Sequence, residues 1–297
     1  MTRRRYARIA VLGAALTACC LLLTFWIVSA RHAAARTASS SVLLRPRAGQ
    51  PATGGTRSRP GNDMVAVDAP LSACEARIAG QRDRLPTLAI VGASYTAGVG
   101  PDNPELSWAV QLARLLHWNA VIDGVSGAGY AHPGDDGRGP MGHLLGQENL
   151  HGLRPSLVIV QAGHDDVGTP PAVERARVSS AIGLIRDAVP GARVALLTTF
   201  ASTPQGTPAL HQTDYAIVSA GAAAGPGVII MDPLAGRWAF ARAADGLHPT
   251  AAGDEWIARQ VESVLLAHGL RTGAPAATAP VICDVSVGAG KPRAATA

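Results

Sequence analysis

Between residues 88 and 268 the sequence alternates short, almost wholly apolar runs with longer segments of helical periodicity. Apolar runs rich in β-branched residues fit strands that are buried on both faces of a parallel sheet. Such runs occur at residues 88–91, 120–123, 157–161, 194–199 and 228–231, and helical patterns at residues 107–118, 171–189 and 251–268. The alternation predicts an α/β domain with a doubly wound, mostly parallel, five-stranded sheet and right-handed crossovers.

Charge is distributed unevenly along the 297 residues, whose formal net charge is +5. Residues 1–63 hold ten arginines and a single acid, Asp63, so the remaining 234 residues carry a net charge of −4. The whole chain contains one lysine, Lys291. Because a nucleic-acid interface needs Lys and Arg clustered on a folded face, nucleic acid is not an expected partner.

An uncharged segment over residues 9–30 follows four arginines near the start of the chain. Its length is sufficient to cross a bilayer at about 1.5 Å per residue, and the arginines favour a cytoplasmic N-terminus. We predict a transmembrane signal anchor over residues 1–30. A signal peptide cleaved near Ala30 and lipidation at Cys19 are the alternatives. In each case the following residues lie outside the cytoplasm, either on the cell membrane after a single pass or, after cleavage, secreted.

The composition on either side of the α/β pattern predicts the domain boundaries. Residues 31–63 are rich in Ala, Arg, Ser, Thr, Gly and Pro, which predicts a flexible linker. The folded domain is expected over residues 64–271 and a C-terminal tail over residues 272–297. Cys74 and Cys283 are the cysteines outside the apolar segment. In an exported protein they could form a disulfide that ties the tail back, and two free thiols are the alternative.

Three residue types needed for nucleophilic catalysis lie at opposite ends of the predicted domain. Ser94 follows the first strand, in Gly-Ala-Ser at residues 92–94, whereas Asp245 and His248 lie in Asp-Gly-Leu-His-Pro-Thr just before the last helix. A serine hydroxyl needs an imidazole to take its proton, and the imidazole needs a carboxylate to fix its tautomer. The sequence predicts Ser94 as nucleophile, His248 as base and Asp245 as the residue that orients His248.

The turns after the second and third strands offer groups for an oxyanion hole. Gly127 would present a backbone N–H without an obstructing side chain, although an ordinary glycine turn is the alternative. Gly-His-Asp-Asp at residues 163–166 would bring polar side chains to the same edge, and there a capped helix start is the alternative. Both turns follow strand ends, which is where sites form in such sheets.

Together these four blocks resemble the SGNH, or GDSL-like, family of serine esterases and lipases over about residues 86–268. The family's Gly-Asp-Ser corresponds to residues 92–94, its oxyanion glycine to Gly127, its Gly-x-Asn-Asp to residues 163–166 and its Asp-x-x-His to residues 245–248. The resemblance implies a three-layer, flavodoxin-like α/β/α fold and a Ser94–His248–Asp245 triad. It also implies an oxyanion hole formed by Ser94, Gly127 and Asp165, with no cofactor.

Two positions depart from the family pattern. Ala93 replaces an aspartate that is mainly supportive in the family. Asp165 replaces the asparagine whose amide would donate to the oxyanion, and an ionised carboxylate accepts hydrogen bonds but cannot donate them. Three outcomes remain open: a protonated Asp165, an Asp165 that points away while the Ser94 and Gly127 N–H groups suffice, and reduced or lost activity.

The resemblance implies a membrane-tethered or secreted serine esterase that acts through an acyl-enzyme on Ser94. The low aromatic content, with three phenylalanines, indicates no large acyl pocket. The exported location and the range of the family therefore lead us to expect short acyl groups, such as O-acetyl on an envelope glycan. An acyltransferase with the same triad and a non-catalytic envelope binding protein are the alternatives. The sequence does not predict an oligomeric state.

Other kinds of site fit the sequence less well. Ser126, in Gly-Val-Ser-Gly-Ala at residues 124–128, would need a helix directly after it to form a nucleophile elbow, whereas residues 130–137 are typical of a loop. His164, Asp165 and Asp166 lack a second histidine-rich block at metal-ligand spacing, so no metal site is predicted. A Rossmann-type dinucleotide site is not expected, because no Gly-x-Gly-x-x-Gly follows the first strand.

Overall fold

The computed structural model describes residues 71–101, 104–203, 206–273 and 278–286. The predicted signal anchor and linker, together with residues 287–297, lie outside these ranges. Within the described ranges, the helices are too short or too polar to cross a membrane.

The described strands form one parallel sheet of six strands in the order β5-β4-β3-β1-β2-β6. The strands are β1 Thr87–Gly92, β2 Asn119–Gly124, β3 Leu157–Gln161, β4 Arg193–Leu197, β5 Val228–Met231 and β6 Ile282–Asp284. At the centre of the sheet, Gly92 of β1 is in register with Gly124 of β2 and Gln161 of β3. The carboxyl ends of three neighbouring strands therefore meet at one edge.

The predicted α/β class and parallel sheet are confirmed, and the five predicted strands coincide with β1 to β5 to within two residues at either end. The prediction of five strands was incomplete. A sixth strand, β6, lies in the segment that the sequence assigns to a C-terminal tail. Its three residues follow a stretch rich in Ala, Thr and Pro, so they carry too little pattern to indicate a strand.

Helices cover both faces of the sheet and produce three layers. They are α1 Leu71–Gly80, α2 Trp108–Leu116, α3 Met141–Gln147, α4 Leu150–Leu153, α5 Pro171–Ala188, α6 Pro208–Ala223 and α7 Ala251–Ala267. The predicted helices over residues 107–118, 171–189 and 251–268 correspond to α2, α5 and α7. The other four helices were not predicted.

Successive side chains along each strand point to opposite faces of the sheet and pack into two separate hydrophobic cores. Leu88 and Ile90 of β1 face the layer of α2 and α7, where Leu112 and Ile257 are also fully buried. Ala89 and Val91 face the opposite layer, which contains α3, α5 and α6. Because both faces are covered, the strands are mostly apolar, as is typical of a buried parallel sheet.

A disulfide joins the two ends of the described fold. Cys74 on α1 and Cys283 on β6 are bonded, with their Cα atoms 6.0 Å apart. Both are buried in a small cluster with Ile78, Val121 and Val281. The predicted pairing is therefore present, and it fixes β6 to the edge of the sheet beside β2.

Asp254 on α7 is a fully buried carboxyl group. One oxygen accepts a hydrogen bond from the Trp108 backbone N–H at 2.9 Å, and the other has no partner among the described residues. Burial raises the pKa of Asp254 from 3.8 to about 8, against the lowering effect of the Trp108 hydrogen bond. The folded protein thus keeps this proton up to about pH 8, whereas the unfolded chain releases it above about pH 4.

The stability of the folded protein should therefore decrease as pH rises between these values. Asp254→Asn should remove this pH dependence. The amide keeps the oxygen that accepts from the Trp108 N–H. Unlike an ionised carboxylate, it has no charge that burial would penalise at high pH. We expect the melting temperature of Asp254→Asn relative to wild type to rise by a few degrees between pH 5 and pH 8. Thermal unfolding of both chains across this range, with the exposed Asp187→Asn as control, measures it. A difference that does not vary with pH would contradict the prediction.

Candidate active site

A tight turn after β1 presents Ser94 at the edge of the sheet. The Ala93 N–H donates to the Gln161 carbonyl at 3.0 Å, and the Val99 N–H donates to the Ser94 carbonyl at 3.0 Å. Gly92 permits this turn, because a Cβ there would lie 2.2 Å from Thr96 Oγ1. Ser94 is buried to 7% exposure, so the fixed backbone determines where its hydroxyl can reach.

Gln161 at the end of β3 supports the same turn through its side chain. Its Oε1 accepts from the Ala93 N–H at 3.2 Å and from Thr96 Oγ1 at 2.9 Å. Gln161 is the last residue of the predicted third strand, and no role was predicted for it. A polar residue that ends an apolar strand was the available signal.

The Asp-x-x-His block lies in a loop that is held by hydrogen bonds between its own residues. Arg242 and Pro249 form an antiparallel bridge, and the Ala243 N–H donates to the His248 carbonyl at 2.8 Å. Asp245 Oδ1 accepts from the N–H groups of Leu247 and His248 at 2.9 and 3.0 Å. These bonds fix the carboxylate before it contacts the imidazole.

The structure brings Ser94, His248 and Asp245 together. His248 Nε2 lies 2.8 Å from Ser94 Oγ, and His248 Nδ1 lies 2.6 Å from Asp245 Oδ2. The His248 hydrogen bond and the Leu247 N–H hold the pKa of Asp245 below its ordinary value. An ionised Asp245 accepts from Nδ1–H, which leaves the Nε2 lone pair facing the Ser94 hydroxyl. This arrangement can deprotonate a serine nucleophile.

An aromatic layer supports the histidine loop. Tyr95 donates its hydroxyl to the Leu247 carbonyl at 2.8 Å, and its ring lies 5.5 Å from that of His248. The buried Phe200 stacks on Tyr95 with centroids 4.4 Å apart, and Phe240 meets both rings edge-on. These contacts were not predicted, because a tyrosine next to a serine has no spacing that would indicate a partner 152 residues away.

Gly127 lies in the loop after β2, with φ of +74°. A Cβ there would lie 2.5 Å from Asp135 Oδ1, so both the conformation and the space require glycine. The Gly127 carbonyl accepts from His132 Nδ1 at 2.7 Å. In the part of the chain that the structure describes, neither the Gly127 N–H nor the Ser94 N–H donates a hydrogen bond to another residue. Both donors are therefore available to an incoming oxygen.

Asp165 and Asp166 differ in their surroundings, although both lie in one turn of 3₁₀ helix. Asp166 is fully buried and accepts from the backbone N–H groups of Tyr130, Ala131 and His132 at 2.7 to 3.2 Å. It therefore holds the loop that contains Gly127. Asp165 is only partly buried, and burial raises the pKa of its carboxyl group.

The remaining candidate sites gain no further support. Ser126 lies in a loop, where its carbonyl accepts from the Asp135 N–H at 2.9 Å, and no helix begins between Ser126 and Met141. His164, Asp165 and Asp166 do not form a metal-binding group, nor do other acids, histidines or cysteines among the described residues.

Residues 90–256 match the family model described as the GDSL-like Lipase/Acylhydrolase family. This match covers more than half of the chain and contains all four sequence blocks. The chain belongs to this family. The GDSL-like protein is thus an SGNH-type hydrolase, and its family is one of esterases and lipases.

Three individual proteins are similar to this chain. GDSL lipase Rv0518 of Mycobacterium tuberculosis is 26% identical over 198 residues, which cover 61% of this chain and 82% of the relative. A carbohydrate esterase family 2 enzyme of Corynascus thermopiles (Myceliophthora fergusii) superimposes with a TM-score of 0.52 at 19% identity, covering 62% of this chain and 67% of that chain. TesA superimposes with a TM-score of 0.49 at 24% identity, covering 60% of this chain and 97% of the TesA chain.

Asp165 occupies the position at which the GDSL-like pattern has asparagine, and this suggests a gain-of-function variant. We expect Asp165→Asn to raise kcat about tenfold at neutral pH, because an amide donates where a carboxylate would repel the developing negative charge. The ratio of variant to wild-type kcat should grow as pH rises through the raised pKa of Asp165. Steady-state kinetics from pH 5 to 8 measure this ratio.

The same change at the neighbouring position provides a contrast. In wild type, the Asp166 carboxylate accepts hydrogen bonds from three backbone N–H groups. Asp166→Asn turns one acceptor into an NH₂ donor that faces these donors, so it should lower both stability and kcat. A wild-type kcat equal to that of Asp165→Asn at every pH would show that Asp165 does not affect the oxyanion.

Proposed function

We propose that this protein is a serine esterase that hydrolyses carboxylic esters of short acyl groups through an acyl-enzyme on Ser94. The observation that carries the proposal is the 2.8 Å contact between Ser94 Oγ and His248 Nε2, continued by the 2.6 Å contact between His248 Nδ1 and Asp245. Each group has the role that its chemistry permits: nucleophile, base and orienting carboxylate.

In the first half-reaction, Ser94 Oγ attacks the ester carbonyl while its proton passes to His248 Nε2. The carbonyl oxygen becomes an oxyanion, and the N–H groups of Ser94 and Gly127 donate to it. Asp245 stabilises the imidazolium that has formed. As the intermediate collapses, the C–O bond to the alcohol breaks, and the leaving oxygen takes the proton from His248. The acyl group remains on Ser94.

In the second half-reaction, a water molecule replaces the alcohol. His248 takes a proton from the water as its oxygen attacks the acyl carbonyl, and the same two N–H groups hold the second oxyanion. The bond to Ser94 Oγ then breaks, and His248 returns the proton to the serine. A carboxylic acid leaves, and the triad regains its starting state.

Packing beside His248 supports the preference for short acyl groups. Tyr95 and Phe200 are each 1% exposed and stack on one another, so neither ring offers an open apolar surface to a long acyl chain. O-acetyl groups on envelope glycans are the substrate class that we propose. The carbohydrate esterase family 2 enzyme with the same fold supports ester chemistry on a sugar.

We also place the catalytic domain outside the cytoplasm, tethered by the apolar segment over residues 9–30 or secreted after its cleavage. The disulfide between Cys74 and Cys283 supports this location, because such bonds persist in oxidising compartments. Protease protection in intact cells that express the full-length chain tests the location. A catalytic domain that only lysis makes accessible would contradict it.

Hydrolysis of p-nitrophenyl acetate, butyrate and octanoate by the full-length chain tests the activity. We expect the highest kcat/KM for acetate and covalent labelling of Ser94 by a fluorophosphonate probe. Release of acid without an added alcohol indicates hydrolysis. If product forms mainly as a new ester when an alcohol is supplied, the protein is instead an acyltransferase.

Asp165 favours a second candidate, a non-catalytic protein that binds glycan in the same cleft. An ionised carboxylate beside the oxyanion position would slow ester chemistry but could accept hydrogen bonds from sugar hydroxyls. A folded chain that hydrolyses none of the three esters and does not react with the probe would support this candidate over the esterase.

A further inference from the structure

The family match ends at residue 256, but the fold continues into β6 and the residues after it. Ser286, two residues beyond β6, is buried to 8% exposure. Its Oγ accepts a hydrogen bond from the Gly124 N–H at 2.8 Å. Gly124 ends β2, whereas the pairing of β6 with β2 ends opposite Ile122. The serine hydroxyl therefore serves as the acceptor for a buried N–H just beyond the end of the ladder.

Gly124 lies directly against the turn that presents Ser94. A Cβ at Gly124 would be 2.2 Å from the Ala97 nitrogen and 2.7 Å from the Thr96 carbonyl carbon. The next residue, Val125, donates its N–H to the Gly92 carbonyl at 2.8 Å. A shift of Gly124 would therefore move the nucleophile turn relative to the loop that contains Gly127.

Ser286 is held in place by β6 and by hydrogen bonds of its own backbone. β6 pairs with β2, and the Val285 N–H donates to the Ile122 carbonyl at 2.9 Å. The Ser286 N–H donates to Asp284 Oδ1 at 3.0 Å, which fixes the serine backbone. The disulfide at Cys283 holds the strand to α1. The hydroxyl is thus held in place from outside the region that the family shares.

We propose that Ser286 is a positioning residue of the esterase. Its hydroxyl fixes Gly124 and thereby sets the distance between the Ser94 nucleophile and the Gly127 oxyanion donor. The kinetic consequence rests on the proposed function. Without the hydroxyl, the buried Gly124 N–H has no acceptor, and the end of β2 must move to find one.

Kinetics of the full-length chain with p-nitrophenyl acetate test this role. We expect Ser286→Ala to lower kcat about tenfold, with KM changed by less than about twofold, because misplaced groups cost rate more than ground-state binding. Ser286→Thr keeps the hydroxyl and should restore most of kcat. Ser107→Ala is the matched control, since it removes another buried serine hydroxyl that accepts a backbone N–H, at the start of α2.

Amide hydrogen exchange of residues 119–129 gives a readout that does not depend on catalysis. Exchange should be faster in Ser286→Ala than in wild type and unchanged in Ser107→Ala. If the wild-type chain proves inactive, the esterase function fails while exchange still decides the role of Ser286. Unchanged exchange in Ser286→Ala, or a kcat that falls equally in Ser107→Ala, would overturn the proposal.

Discussion

The Ser94→Ala variant should lose at least about 10⁴-fold in kcat on p-nitrophenyl acetate, because the proposed acyl-enzyme cannot form without the hydroxyl. The methyl group of alanine fits the space of the serine side chain, so the fold should not change. Turnover that remains would come from water attacking an ester that the Ser94 and Gly127 N–H groups still polarise. Initial rates at high enzyme concentration, beside the thermal unfolding midpoint, measure both effects.

Ser126→Ala is the informative comparison. Ser126 is the alternative nucleophile, it lies in a neighbouring loop, and the substitution is chemically identical. Turnover should survive in Ser126→Ala and vanish in Ser94→Ala. The reverse result would move the nucleophile to the loop after β2, and equal rates in wild type and Ser94→Ala would remove the acyl-enzyme mechanism altogether.

Removing the disulfide should have the largest effect on stability. We expect the Cys74→Ser/Cys283→Ser double variant to lose about 2–5 kcal/mol of unfolding free energy, because the bond closes a very long loop and so restricts the unfolded chain. The two cysteines are 209 residues apart in sequence. Chemical denaturation of wild type and variant, each extrapolated to zero denaturant with its own m-value, gives the difference.

Reduction provides an internal control. Dithiothreitol should lower the stability of the wild-type chain to that of the double variant and leave the double variant unchanged. Each single Cys→Ser variant should match the double variant, since either one breaks the bond. A double variant as stable as the oxidised wild type would show that packing alone holds β6 and α1 in place.

The sequence predicted the sheet well because a buried parallel strand leaves a strong local pattern. Residues 157–160, for example, are all apolar, and the pattern stops at the polar Gln161, where the strand ends. The helix α6 was missed because its second half is rich in Ala, which gives no clear apolar stripe. β6 was missed because three residues cannot show a period.

The triad residues could be proposed from short motifs, since each block places its reactive group beside glycines or a helix start. The contacts that support the triad could not be predicted in this way, because they depend on which turns the sheet brings together. Gln161 contacts Thr96, Asp166 contacts Tyr130, and Ser286 contacts Gly124 across separations of 36 to 162 residues. No local spacing encodes such pairs.

The position of β6 at the margin of the sheet affects how the chain can be shortened. A chain that stops after α7 would keep every family motif but would leave β2 with an unpaired, apolar edge. Exposed edges of this kind offer free N–H and C=O groups to other chains and promote aggregation. The last residues of the fold therefore act as a cover against self-association, and a soluble fragment must include them.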